Sequence, residues 1–338
     1  MTRAHQTSMG RRRCLRTVLF LGAGILSGAG FPREARAMNT TTTVVVIATD
    51  DRKKGVRAAM EYFGLHGIDG SRVALKANYN SADPFPASTH PDTLEAIIRT
   101  LRDAGARSIT LPERSGMGDT ASVLQTMGVN TICEEHGAEV VIMDDLDADG
   151  YVPHSPKRSH WKHGFLLARP FEEADKVIQT CCLKTHQYGG HFTMSLKNVV
   201  GAIAKYDPND GYNYMRELHS SPRQRSLIAE IGLAFRNDLI IMDGLKAFVS
   251  GGPHTGKEVS PGVIIAGTDP VAVDSVGVAI LRTFGTTREV MRGSVADQEQ
   301  IKRAAELGVG ISDPSRIDLV GMGDGADKIV ADIRAHLA

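Results

Sequence analysis

Residues 184–203 read KTHQYGGHFTMSLKNVVGAI. Two lysines, two histidines, a glycine pair and an amide share one stretch, a mixture that packing alone does not require. Lys184 and Lys197, with Lys76 from an earlier segment, would make a three-lysine seat for a carboxylate or phosphate, and Asn198 adds a neutral hydrogen-bonding group. Gly189 and Gly190 leave the backbone N–H groups around them free to be aimed at an anion. They lie beside the N-terminus of the helix expected over MSLKNVVGAIA, an end that favours negative charge. Histidine ordinarily titrates near neutrality, which makes His186 the candidate for proton transfer. His191 is a candidate to share a metal with it, although a hydrogen-bonded loop residue is the plainer reading of either histidine.

Other chemistry-bearing residues recur at the ends of apolar runs. Lys76 and Asn78 close RVALKAN, while Asp243 closes LIIMD, with the glycine loop GGPHTG (251–256, including Gly252) shortly after it. Asp243 is the carboxylate expected to orient His186 or to hold a metal. Asp269 suits a helix cap before Pro270, whereas Asp274, one turn further on, is a candidate for the ligand pocket. His154, His160 and His163 read as a solvated loop.

The elements that must position these residues alternate. VVVIA, RVALKAN, SITLPE, EVVIMD, GFLLA, KVIQTCCL, LIIMDG, GVIIAG and RIDLVG read as strands, with amphipathic helices between most of them. In one helix Leu94, Ile97, Ile98 and Leu101 share a face, preceded by Thr89 and Pro91 and stopped at Gly105. In another, Leu196, Val199, Val200 and Ile203 make the core stripe, which leaves Lys197 and Gly201 off it. Alternation of this kind predicts an α/β fold, a mostly parallel sheet with helices on both faces and room for two lobes. Lys76, Asn78, Lys184 and His186 then fall beyond carboxyl ends of strands, where open α/β sheets bind ligands. The stretch 147–163, rich in Asp, Gly, Pro and His, interrupts the rhythm and reads as a surface excursion or lobe junction.

Residues 1–37 read separately from the rest. GRRRCLR is followed by an apolar, glycine-containing run and then by ARA, the order of an export signal cleaved after Ala37. Arg11 and Arg12 fit the twin-arginine type, which implies the twin-arginine export machinery as a partner and a periplasmic or other extracytoplasmic destination. The apolar run is short for a stable membrane anchor. A polar linker, 38–43, leads into an α/β domain over 44–338. Equal numbers of basic and acidic residues, 39 each, argue against nucleic acid as a partner and leave a small anionic molecule as the expected ligand. Cleavage leaves Cys133, Cys181 and Cys182, whose spacing suits no iron–sulfur cluster. The adjacent pair reads most simply as small residues in a buried strand, with a vicinal bridge or a soft-metal site as the alternatives.

The ordered set KAN, STHP, LKTH, SLKNVVG, MDG, GGPHTG and AGTDPVAVD resembles the family catalogued as Domain of Unknown Function 362, over about residues 72–280. By motif, the resemblance carries over Lys76, Asn78, Thr89, Pro91, Lys184, His186, Lys197, Asn198, Asp243, Gly252, Gly256, Asp269 and Asp274. Some members of that family carry ferredoxin-type cysteine motifs, which this sequence lacks. It is also faintly similar to the lactate racemase family, which places histidines, lysines and glycine turns around a nickel-bearing organic cofactor. The resemblance implies a cofactor-dependent enzyme as one option without naming the metal or organic cofactor. Three functional classes follow: an exported enzyme or cofactor-handling protein, a non-catalytic periplasmic capture protein, and a metal-binding redox accessory.

Overall fold

The computed structural model describes residues 41–64 and 66–337, so the segment read as an export signal and most of the stretch read as a linker lie outside the described residues. The first half builds β1 (Thr42–Ala48), α1 (Arg52–Phe63), β2 (Arg72–Lys76), α2 (Pro91–Asp103), β3 (Ser108–Glu113), α3 (Thr120–Thr126), α4 (Val129–Glu135) and β4 (Glu139–Ile142). Then follow β5 (Tyr151–His154), β6 (Phe165–Ala168), α5 (Arg169–Glu173), β7 (Lys176–His186), β8 (His191–Phe192), α6 (Ser195–Asn198), α7 (Tyr214–Ser220) and α8 (Gln224–Ile231). The chain closes with β9 (Leu239–Gly251), β10 (Gly256–Val259), β11 (Val263–Gly267), α9 (Pro270–Thr283), α10 (Arg288–Met291), α11 (Glu299–Glu306), β12 (Ile317–Met322) and α12 (Ala326–Leu337).

The fold is α/β, with a main sheet in the order β12-β1-β11-β9-β7-β2-β3-β4. β9, β7, β2, β3 and β4 run parallel, while β11 is antiparallel to both of its neighbours, β1 and β9. Continuous apolar runs such as Val44–Ile47 are buried because helices cover both faces of the sheet. One core joins α9, α11 and α12 to the sheet, and another joins α1, α2 and α4 to the opposite face. Parallel pairing places the carboxyl ends of β7, β2 and β3 side by side, which brings Lys184 and His186, Lys76 and Glu113 to one edge.

The segment 147–163 is not a surface excursion throughout. β5 pairs with β6 as a ribbon, and Trp161 is buried, its Nε1 donating to Leu227 O at 3.0 Å. His160 is likewise no free loop residue: its Nδ1 lies 2.6 Å from the buried Glu230, which Arg303 also holds. His154 is half-buried and stacked on Phe165, while His163 is exposed.

The helix expected over residues 194–204 is shorter than its pattern. One α turn, α6, passes into a 3-10 turn at Val199–Ala202, and Ile203 is extended. The cause is a competing partner. Buried Arg114 donates Nη2 to Val200 O at 2.6 Å and Nε to Ile203 O at 2.7 Å, and Ala204 N–H turns to Leu166 O. The apolar stripe Leu196, Val199, Val200 and Ile203 is nevertheless buried as its spacing requires.

Candidate functional site

A cavity of about 730 Å³ opens beyond the carboxyl ends of β2, β3 and β7. Lys76, Asn78, Lys184, His186, Lys197 and Asn198 line it together, so six residues singled out by sequence converge. Glu113, Arg114, Tyr79, Tyr188, Lys205, Tyr206, Arg216 and Pro253 line it as well.

Each lysine is held differently. Lys76, expected in the anion seat, is instead matched by a carboxylate: it is buried and donates to both Glu113 oxygens at 2.7 Å and to Ala77 O. Burial works against charge on both members, lowering the Lys76 pKa and raising that of Glu113. Lys184 is also buried, donates to Ala87 O, and has its pKa lowered by desolvation. Lys197 is half-buried and makes no hydrogen bond or ion pair with any described residue. Burial, then the charges of Lys184 and Arg114, bring its pKa down to about 8.

His186 is 6% exposed and its Nδ1 has no hydrogen-bond partner among the described residues. Burial, reinforced by Lys197 and Lys184, lowers its pKa to about 2, so the unliganded protein holds it neutral. Asn78 Oδ1 and the Tyr79 hydroxyl are two further buried polar atoms of the cavity wall without partners. Asn198 is fixed, since its Nδ2 donates to Gln179 Oε1 at 3.1 Å and to Thr180 O at 3.0 Å. Thr89 secures the Asn78 segment instead of capping α2: its Oγ1 accepts from Asn78 N at 2.9 Å, and His90 is the cap.

Three expectations are corrected. Asp243 does not line the cavity and does not orient His186. Its carboxylate is taken by Arg52 Nε at 2.9 Å, Thr93 Oγ1 at 2.6 Å and Leu245 N at 3.1 Å, against α1 and α2. Asp274 is a fully buried positioning residue, not a ligand contact: it accepts from Ser195 N at 2.8 Å, Leu196 N at 3.1 Å and the Ser195 hydroxyl. Burial raises its pKa to about 7 against these three donors. Because Asp274 caps α6, the helix N-terminus expected to receive an anion is already satisfied.

The glycine loop is the third correction, because it shapes the cavity without being part of its lining. A Cβ at Gly190 would sit 2.9 Å from His186 Nδ1 and 3.1 Å from Lys197 Cε, so its absence lets those two side chains approach. Gly189 O accepts from Arg225 at 2.6 Å, and Gly252, at φ 71°, lies against Thr185 O. Gly190→Ala is therefore expected to move His186 and Lys197 apart at an overpacking cost of about 1–3 kcal/mol. Ligand affinity should fall while circular dichroism keeps its native form; unchanged affinity would separate the loop from the site.

His191 faces His186 across the β7–β8 hairpin but does not line the cavity. Among the described residues, no group of three or more His, Cys, Asp or Glu side chains is placed to hold a metal ion. Cys133, Cys181 and Cys182 are free and buried, and burial raises the thiols of Cys133 and Cys182 to about 11.

Glu113 and Arg114 are the principal residues that sequence reasoning missed. Both follow SITLP at a strand's carboxyl end, the same signal that singled out Lys76.

The chain is 25% identical over 253 residues to the thylakoid-associated protein sll1697 of Synechocystis sp., covering 73% of this chain and 74% of that protein. A solved lactate racemase apoprotein from Thermoanaerobacterium thermosaccharolyticum is similar at 12% identity and a TM-score of 0.42, over 86% of this chain and 85% of that one. Residues 73–279, more than half of the sequence and a span that includes Lys76, Lys184, Lys197 and Lys205, match the model described as Domain of unknown function (DUF362), and the chain belongs to that family.

Proposed function

We propose that the cavity binds a small organic anion through Lys184 and Lys197, and that the protein is an enzyme or cofactor-handling protein acting on that anion. One observation carries the reading: among the described residues neither ammonium has a carboxylate partner, and Glu113, the one carboxylate they bring to the lining, is committed to Lys76. Lys205, the other lysine of the wall, pairs with Asp144 at 3.2 Å. Enclosing unmatched positive charge is costly, and a bound anion relieves that cost. The unpartnered Asn78 Oδ1, Tyr79 hydroxyl and His186 Nδ1 offer hydrogen bonds that would orient such a ligand. His186 enters as a neutral hydrogen-bonding group, and a bound anion would raise its pKa by offsetting the lysine charges.

The test is calorimetric titration with small dicarboxylates and inorganic phosphate across pH. An anion binds the ammonium form of Lys197, so affinity should be full below about pH 8 and fall roughly tenfold per unit above it. Near pH 8 binding should also take up protons, visible as a dependence of the heat on buffer. Affinity that stays flat between about pH 6 and 10, where lysine ordinarily remains charged, would remove Lys197 from the site. Turnover of the bound anion separates an enzyme from a capture protein that returns its ligand unchanged.

The reading extends to location. The arginine pair and ARA sequence support twin-arginine export to the periplasm, with cleavage after Ala37. Replacing Arg11 and Arg12 together by lysine should hold the precursor in the cytoplasm, while the wild-type mature chain begins at Met38. Undiminished export of the double variant, followed by immunoblotting of cell fractions, would overturn that route.

A further inference from the structure

We propose that Lys197 forms an imine with the carbonyl carbon of a 2-oxo acid whose carboxylate is held by Lys184. The proposal rests on the anion-binding reading above and names the class of anion.

The lysines of the wall differ in what they are free to do. Lys76 is locked by both oxygens of Glu113, Lys205 by Asp144, and Lys184 donates to Ala87 O. Lys197 has no partner among the described residues and shares the cavity with three residues that carry unpartnered buried polar atoms, His186 Nδ1, Asn78 Oδ1 and the Tyr79 hydroxyl. Nucleophilic attack requires the free amine, and an amine held near other cations in a desolvated site loses its proton readily. Lys184 and Arg114 are those cations, and with burial they bring Lys197 to about 8. Gly190, lacking a Cβ, lets Lys197 Cε and His186 Nδ1 pack close against its backbone, which sets the histidine beside the amine.

The second charge selects the substrate. A simple aldehyde would leave Lys184 unmatched. A 2-oxo acid carries its carboxylate on the atom next to the carbonyl, so one small molecule meets a fixed ammonium and a neighbouring amine at once. In the reaction, the Lys197 lone pair forms a C–N bond to the carbonyl carbon as the C=O π pair moves to oxygen. Transfer of a proton from nitrogen to that oxygen gives the carbinolamine, whose hydroxyl can hydrogen-bond to His186 Nδ1. Loss of the hydroxyl with the remaining nitrogen proton, as water, leaves C=N. Amine and carbonyl become imine and water, and no oxidant or reductant is consumed.

The experiment incubates the mature protein with pyruvate or 2-oxoglutarate, reduces with cyanoborohydride, and maps the adduct by peptide mass spectrometry. A single reduced adduct on Lys197 is expected, absent from Lys197→Arg and Lys197→Met, both checked for native circular dichroism. Lys184→Met should raise the concentration needed for half-labelling far more for pyruvate than for an uncharged aldehyde, whose labelling falls only as the Lys197 amine becomes more protonated. No adduct with either acid, or labelling spread over surface lysines as in the heat-unfolded protein, overturns the proposal. Propanoate, which has the carboxylate but no ketone, keeps the two readings apart: its binding without any pyruvate adduct sinks the imine alone, and loss of both sinks both.

Discussion

Lys197→Ala is expected to weaken binding of a small dicarboxylate about ten- to a hundredfold, the loss of one charged hydrogen bond at about 1.5–3 kcal/mol. Thermal stability should hold or rise slightly. Among the described residues Lys197 has no partner for the substitution to orphan, and its removal relieves the repulsion it shares with Lys184 and Arg114. Lys197→Arg should not restore affinity, because a planar guanidinium is a poor substitute for a compact ammonium beside Gly190. Isothermal calorimetry with thermal melts checks both halves. Unchanged affinity in Lys197→Ala and in Lys184→Ala would refute the anion site, whereas unfolding of Lys197→Ala would make the lysine structural.

The parts of this molecule legible in sequence were those governed by local rules. Buried strands such as Val44–Ile47 and α2 with Leu94, Ile97, Ile98 and Leu101 follow from apolar periodicity, and both are in place. The convergence of Lys76, Lys184, His186 and Lys197 was also within reach, since residues at the carboxyl ends of parallel strands share an edge. What stayed hidden depended on partners far along the chain. By its position Asp243 reads as the carboxylate that orients His186 or holds a metal, yet Arg52, 191 residues away, and Thr93 claim it. Asp274 looked free for a pocket, but the N–H groups of Ser195 and Leu196 needed a cap that no nearby side chain supplies. The α6 helix stopped early because Arg114, from another strand end, took the carbonyls of Val200 and Ile203. Neighbouring sequence carries no sign of such contacts, and strand order is what creates them.

Glu113 shows how far that matters, because the register of β2 against β3 turns a lysine and a glutamate 37 residues apart into a buried pair. Both side chains are 1% exposed, so neither charge is relieved by water. Glu113→Gln should therefore cost about 3–5 kcal/mol, the usual penalty for leaving one member of a buried pair without its partner. Chemical denaturation should show the midpoint falling with an unchanged slope. The penalty is for the orphaned charge rather than for the lost attraction, so Lys76→Met combined with Glu113→Leu should recover most of the stability. A bound anion would separate the pair's structural role from a ligand role. If Glu113 only neutralises Lys76, an anion drawn to the freed Lys76 ammonium should stabilise Glu113→Gln more than the wild type. If Glu113 instead contacts the ligand through a donor on it, the variant should lose affinity along with stability. The two outcomes differ in sign, and thermal melts of both proteins with and without dicarboxylate read that sign directly.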